Sequence, residues 1–201
     1  MSDSQSDWKV KTPKKRKPTQ HQPIAMTTIT SDIITNDIGE VNEITLPNKY
    51  VLWNHDLINK KWTIESYNKM CVIATVSDFW KVFNNFKQLG YKSNNFFLMR
   101  EDTEPTWEHV NNRNGGTCSF RTSMDDAVAV YEDLCSRMMC SVLNNNMTDI
   151  TGISFCPRNN WAIIKIWNKD SKNDLTQTLD AELIRKYKDL SIKYKSNEPE
   201  Y

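Results

Sequence analysis

Trp107 stands in the run Glu104-Pro105-Thr106-Trp107-Glu108, with a carboxylate directly after it and a proline two residues before. The stretch is polar and proline-bearing and reads as a loop, where core packing does not account for an indole. A second indole, Trp62, follows Asn59-Lys60-Lys61 between two strand-like runs and so sits on another loop. If both loops leave the same face of a sheet, the two indoles hold a flat ring between them. Stacking of that kind is worth about 1–3 kcal/mol per base, and more for a cationic ring. Glu108 supplies the selection. An ionised carboxylate accepts hydrogen bonds and donates none, so it suits the N1–H and N2–H₂ edge of guanine and rejects edges lacking that donor pair. A guanine methylated at N7 carries positive charge and suits both the indoles and the adjacent anion.

Catalytic machinery is sparse by comparison. Three histidines are present: His21 near the N-terminus, His55 in what reads as a turn, and His109 beside Glu108. There is no Gly-x-Ser-x-Gly turn, phosphate-cradling glycine loop or zinc-ligand spacing. The glycines, Gly39, Gly90, Gly115, Gly116 and Gly152, are too scattered for a dinucleotide fingerprint. The expectation is a binding protein and not an enzyme, with no cofactor and no metal.

A net charge of +1 over 201 residues conceals a split. Residues 1–26 carry six Lys/Arg against two Asp, and the remainder twenty basic against twenty-three acidic residues. The body is therefore not a basic duplex-binding surface. Five cysteines (Cys71, Cys118, Cys135, Cys140, Cys156) form no Cys-x-x-Cys pair, which fits reduced thiols in a cytosolic or nuclear protein. No apolar run approaches a membrane span and the N-terminus lacks a secretory pattern, so a cytoplasmic protein without membrane attachment is expected. Residues 1 to 44 are rich in Ser, Thr, Asp, Lys, Gln and Pro, the composition of a disordered tail. Within that tail, Lys14-Lys15-Arg16-Lys17 reads as a nuclear address, a phosphate-attracting patch or a plain solvated run.

The elements that must position the indoles follow from about residue 45. Tyr50–Trp53 reads as a strand and Ile64–Ala74 as a second. Thr75-Val76-Ser77-Asp78 matches a capping box opening a helix to about Leu89, with an apolar stripe of Phe79, Val82, Phe83, Phe86 and Leu89. Trp80 lies off that stripe, on an edge it shares with Val76. Phe96–Met99 and Cys118–Thr122 read as strands. Ser123 caps a second helix whose buried face is expected to hold Ala127, Tyr131, Leu134, Met138 and Val142. Two more strands, Gly152–Cys156 and Trp161–Trp167, precede a last helix over Leu179–Leu190, which buries Leu179, Leu183, Ile184 and Tyr187. A short strand over Ser191–Tyr194 closes the pattern. Strands and helices interleave without a βαβ repeat, which predicts an α+β domain with a mainly antiparallel sheet backed by helices.

The order Trp53, Trp62, Val76-Ser77-Asp78-Phe79-Trp80, Glu104-Pro105-Thr106-Trp107-Glu108, Gly115-Gly116, Gly152, Arg158 and Ile166-Trp167 resembles the eukaryotic translation initiation factor 4E family of messenger-RNA cap-binding proteins. The resemblance spans about residues 46 to 194, and Glu-Pro-x-Trp-Glu is its most specific motif. It implies a curved antiparallel sheet with about three long helices on the convex face and a cap pocket on the concave face, a cap-binding domain over 45–201, and a monomer. Trp62 and Trp107 are then implied to stack on 7-methylguanine, Glu108 to bond its Watson–Crick edge, Trp167 to lie against the N7 methyl, and Arg158 to contact the cap phosphates. Val76 and Trp80 match positions that dock the helical Tyr-x-x-x-x-Leu-hydrophobic motif of the scaffold factor 4G and of 4E-binding proteins. The implied partners are thus capped messenger RNA, through its 7-methylguanosine triphosphate, and one of those two classes of protein.

The chain departs from the family pattern at several points. Ile163 stands where the family has a phosphate-binding lysine, Cys118 where it has a tryptophan after the Gly-Gly pair, and Tyr131 where a tryptophan opens the second helix. Fewer cations then face the triphosphate. In a strand over Trp161–Trp167, residues 161, 163, 165 and 167 share a face, so Lys165 points the same way as Trp167 and reads either as a partial substitute for the missing cation or as a solvated strand lysine. Tyr50, Tyr131-Glu132-Asp133-Leu134 and Ile166-Trp167-Asn168-Lys169 resemble the 4E-homologous branch of the family, whose members act as cap-binding repressors. Glu132 and Ser136 occupy positions where the initiation-competent class presents leucines. Recruitment of messenger RNA for translation is one expectation, and competition for the cap as a translational repressor is the alternative. A degenerate fold serving only protein interaction is a third.

Overall fold

The computed structural model describes residues 43–198. The expected tail lies outside them but for its last two residues, as do His21 and the Lys14–Lys17 run. Seven strands form one curved sheet: Thr45–Asp56 (β1), Asn68–Thr75 (β2), Asn94–Arg100 (β3), Gly116–Ser123 (β4), Ile150–Pro157 (β5), Trp161–Asn168 (β6) and Ser191–Ser196 (β7). Their order is β2-β1-β3-β5-β6-β4-β7, and every neighbouring pair is antiparallel. Four helices back the convex face: Val76–Asn84 (α1), Met124–Met139 (α2), Leu175–Thr178 (α3) and Ala181–Lys186 (α4). The α+β architecture is the one expected.

Period-two alternation sorts the side chains between the two faces of the sheet. In β6, Ala162, Ile164 and Ile166 are fully buried in the main core, while Trp161, Ile163, Lys165 and Trp167 take the opposite face. In β3, Phe96 and Leu98 join the main core, whereas Phe97 and Met99 belong to a second, smaller cluster with Tyr67 and Trp167. The main core is closed from the helix side by Phe79, Phe83, Ala127, Tyr131, Leu134 and Met138. Each large apolar side chain buried there contributes about 1.5–3 kcal/mol. Gly152 lets β5 approach β3 closely, since a Cβ at this position would lie 2.5 Å from Met99 Sδ and 2.6 Å from Leu98 O.

Several element boundaries differ from expectation, each for a local reason. The run Ile64–Ala74 is not one strand: Ile64–Ser66 forms a 3-10 turn in which Ser66 Oγ donates to Thr63 O at 2.6 Å, and pairing begins only at Asn68. Thr75 and Asp78 do form the capping box, with Asp78 N donating to Thr75 Oγ1 and Thr75 N to Asp78 Oδ2, both at 3.1 Å. The helix stops at Asn84 and not Leu89, because Asn85 Nδ2 folds back to Lys81 O at 2.9 Å. Phe86–Leu89 follows as a 3-10 turn ended by Gly90 at φ 78, a conformation glycine adopts without steric penalty. Val142 is not on the buried face of α2, which ends at Met139; Ser141 turns at φ 59 and Val142 is 53 % exposed. The expected last helix is two short ones, α3 and α4, because Asp174 and Asp180 each cap a new start, accepting from Thr176 N at 2.8 Å and Leu183 N at 3.0 Å. Leu179, Leu183 and Tyr187 are nonetheless buried, and Ile184 packs at the rim.

Candidate functional site

The loop after β1 carries Trp62. His55 is not in a turn: it lies in β1 paired with Asn95 of β3, is fully buried, and stacks its imidazole on Trp62 with centroids 4.1 Å apart and planes 8° from parallel. Its Nε2 lies 2.7 Å from Lys61 O, an acceptor, so Nε2 carries the proton. Tyr67 leans on both rings from the β2 side, at 4.9 Å and 6.2 Å. The indole is thereby held by a ring on one face while the side chain remains 54 % exposed.

The loop after β3 carries Trp107 and Glu108, and two asparagines pin it. Asn112, fully buried, donates from Nδ2 to Glu104 O at 2.9 Å and Thr106 O at 2.8 Å, bracketing the proline turn. Asn111 Nδ2 reaches Thr103 Oγ1 at 3.0 Å. Pro105 and Thr106 are buried beneath. Trp107 is 40 % exposed and makes no ring contact with another aromatic side chain among the described residues.

Between these loops the open face of the sheet forms the floor. Trp167 of β6 is buried, donates from Nε1 to Ser154 Oγ at 2.9 Å, and meets Phe97 edge-on at 6.2 Å. Arg158, at the β5–β6 turn, donates from Nη1 to Pro157 O at 2.7 Å. A single cavity of about 370 Å³ is lined by Trp62, Trp107, Glu108, Arg158, Lys165 and Trp167, so all six residues expected to form one site are brought together. That volume lies within the range of small-molecule sites. Tyr67, Asn95, Phe97, Ser154 and Cys156 also line it and were not expected. Strand register was the usable signal for two of these, because Ser154 pairs with Lys165 and Cys156 with Ile163 across β5–β6 and must share their face. Phe97 is hidden in the unbroken run Phe96-Phe97-Leu98-Met99. Burial pushes the Tyr67 phenol up, and it pushes the Cys156 thiol up against the pull of Lys165 and Arg158, so both remain neutral wall groups. The charged side chains of the lining are Glu108, Arg158 and Lys165.

Val76 and Trp80 are on the helix side of the sheet, apart from this cavity. Trp80 is 44 % exposed and meets Phe79 edge-on at 5.0 Å, so it rims the core without entering it. Val76, in the first turn of α1, is half-buried, as are Glu132 and Ser136 on α2.

The arrangement defines a helix-backed single-sheet binding protein with an aromatic-walled cleft carrying both signs of charge. Residues 45–200 match the family model described as Eukaryotic initiation factor 4E, and the chain belongs to that family, whose members are cap-binding translation initiation factors and not enzymes. Among curated relatives, the chain is 30 % identical over 135 residues to the Eukaryotic translation initiation factor 4E of Dictyostelium discoideum, covering 64 % of this chain and 54 % of that protein. It is 27 % identical over 142 residues to the Eukaryotic translation initiation factor 4E homolog of Acanthamoeba polyphaga mimivirus, covering 60 % and 52 %. The chain thus spans about half the length of these curated relatives. Two solved structures share the fold with TM-scores of 0.67 at 20 % identity. One is the complex of C. elegans eIF4E-3 with the 4E-binding protein Mextli and cap analog, covering 77 % of this chain and 92 % of that one. The other is Ascaris suum eIF4E-3 with m7G cap, covering 79 % and 93 %. No helix among the described residues is long and apolar enough to cross a membrane.

Proposed function

We propose that the protein binds the 7-methylguanosine cap of messenger RNA, with the methylated base between Trp62 and Trp107, its donor edge on Glu108 and its methyl toward Trp167. The observation that carries this reading is the single cavity lined by these four side chains together with Arg158 and Lys165. Arg158 and Lys165 supply positive charge for the phosphates. The solved relatives described as complexes with m7G cap and with a 4E-binding protein support the same reading. Val76 and Trp80, on the far side of the sheet, present the surface for a helical Tyr-x-x-x-x-Leu-hydrophobic motif, from a scaffold factor 4G or a 4E-binding protein. The protein works as a cytoplasmic monomer that brings capped messenger RNA to the initiation machinery. Glu132 and Ser136, polar and half-buried on α2, favour a second reading, in which a weaker hold on the scaffold makes the protein a competitor for the cap.

Tryptophan fluorescence titrated with 7-methyl-GTP and with GTP tests the cap reading. The methylated ligand is expected to quench at lower concentration, and Trp62→Ala or Trp107→Ala to weaken it about five- to hundredfold, the range set by loss of one stacking partner. Equal response to GTP, or no quenching by either ligand, overturns the reading. Capture of a scaffold-factor peptide separates recruitment from competition.

A further inference from the structure

His55 is a fully buried titratable side chain to which cap binding, as proposed, assigns no part. Its imidazole covers one face of the Trp62 indole, and its Nε2–H donates to Lys61 O, the carbonyl one residue before that indole. Ser66 Oγ donates to the same carbonyl at 3.0 Å. One ring thus fixes both the plane of Trp62 and the backbone that carries it. Nδ1 is left as the unprotonated nitrogen, and it is buried without a hydrogen-bond partner.

A second proton on this ring would meet an unfavourable setting. From β3, Asn95 pairs with His55, and its Nδ2, a donor, is also unpartnered; Lys92 lines a cavity with that amide. From the β2 side, burial keeps the Tyr67 phenol neutral, and Lys69 lies over Trp53, 6.0 Å from its ring centroid. Lys60 and Lys61 precede Trp62 in its loop. Arg158 and Glu108 line the cavity with that indole, and the buried Cys156 thiol beside them is neutral. Asp56 follows His55 in β1, so it points to the other face of the strand, where it accepts from Ile58 N. No carboxylate forms an ion pair with His55 among the described residues. Protonation at Nδ1 would therefore create a buried charge without a counter-ion.

We propose that His55 is a positioning residue that holds Trp62 ready for a cationic base only while the imidazole is neutral, so that cap binding and protonation of His55 oppose each other. On the reading that the methylated base stacks on the uncovered face of Trp62, the indole lies between two rings. A base at a spacing like that of His55 would carry its positive charge about 8 Å from the imidazole. At an effective dielectric of about 20, two unit charges at that distance change affinity about thirtyfold. Trp62 is 54 % exposed, so solvent screens part of this, and the expected effect is about three- to thirtyfold. Two cations on opposite faces also draw on the same ring electrons.

The test is calorimetric titration of the full chain with 7-methyl-GpppG from about pH 7 down to about pH 5.5, the span in which histidine side chains commonly change charge. The bridging phosphates of this probe do not titrate there. Wild-type affinity should fall about three- to thirtyfold across that span. His55→Phe keeps a stacking ring and removes the titrating nitrogen; it should bind within about threefold of wild type at pH 7 and lose most of the fall. Lys61 O keeps Ser66 Oγ as a donor in this variant, so folding should be preserved, which a melting curve at each pH checks. Proton exchange gives a second readout. Titration at pH 6 in buffers of different ionisation enthalpy should show protons released on binding, a release kept by His109→Gln and lost in His55→Phe. Parallel pH profiles for wild type and His55→Phe, or binding without proton release by wild type, overturn the assignment. If neither wild type nor variant binds the probe at any pH, the base pocket itself has been misread and His55 loses its role with it.

Discussion

Glu108 is the side chain on which the proposed base selection turns, and it has no hydrogen-bond partner of its own among the described residues. Glu108→Gln replaces one accepting oxygen with a donor that would face another donor on guanine. A charged hydrogen bond of this kind is worth about 1.5–3 kcal/mol, so 7-methyl-GTP affinity is expected to fall about ten- to hundredfold with no change in melting temperature. An unchanged affinity in the same titration would remove Glu108 from the site. Lys165 is argued differently, from strand parity: residues 163, 165 and 167 share the open face, and Lys165 lines the cavity. Lys165→Ala should weaken 7-methyl-GTP binding and flatten its salt dependence, and if neither moves its role is lost. These residues were legible because each is anomalous for its neighbourhood: an indole beside a carboxylate in a proline loop, a lysine on a face with Trp167. His55, Asn112 and Asn95 were not legible. A buried polar side chain is recognised by what surrounds it: the hydrogen-bond partners of His55 and Asn112 lie six to eight residues away, and Asn95 meets its strand neighbour His55 from forty residues away.

Among the elements, α2 and α4 are tied by a polar contact with a defined pH signature. Asp133 of α2 accepts from Lys186 Nζ at 2.9 Å and Tyr187 Oη at 2.8 Å, with Arg137 Nε at 3.2 Å. Burial alone would raise the Asp133 carboxyl, but the hydrogen bonds from Lys186 and Tyr187 and the charges of Arg137 and Lys186 outweigh it and hold the group below its usual range. A depressed folded-state value means stability that is present above the ordinary carboxylate range and lost as pH falls through the folded value. Asp133→Asn is therefore expected to lower the melting temperature at neutral pH, with the gap from wild type closing at pH below about 4. A gap that stays constant across that range would show that charge is not the source of the effect. Element ends were harder to read than element identities. Helix and strand periodicity extends through Asn85 and Asp180, but side-chain bonds to nearby backbone end one helix and restart another there. In β3 four consecutive apolar residues erase the alternation, because both faces of that strand are covered.

At the scale of the whole molecule, one sheet separates two surfaces: the indole cavity on its open side and the Val76/Trp80 edge of α1 on its helix side. No side chain lines the cavity and also belongs to α1. Trp80→Ala is expected to abolish capture of a Tyr-x-x-x-x-Leu-hydrophobic peptide while leaving 7-methyl-GTP affinity within about twofold, the additivity expected of distant sites. Loss of both together would show that the two surfaces are energetically coupled. Overall architecture was the most legible scale of all, since strand and helix runs interleave without a βαβ repeat, the pattern of a mainly antiparallel sheet backed by helices.

The alternation along β6 carries a consequence for how such a chain can change. Ala162, Ile164 and Ile166 serve the core, and Ile163, Lys165 and Trp167 serve the open face, within one unbroken strand. Point substitutions can retune either set independently. Deleting one residue between Trp161 and Trp167 instead exchanges the sets, driving a lysine under the helices and an isoleucine into the cleft. Drift in composition is thus open to this strand, while drift in its length is closed.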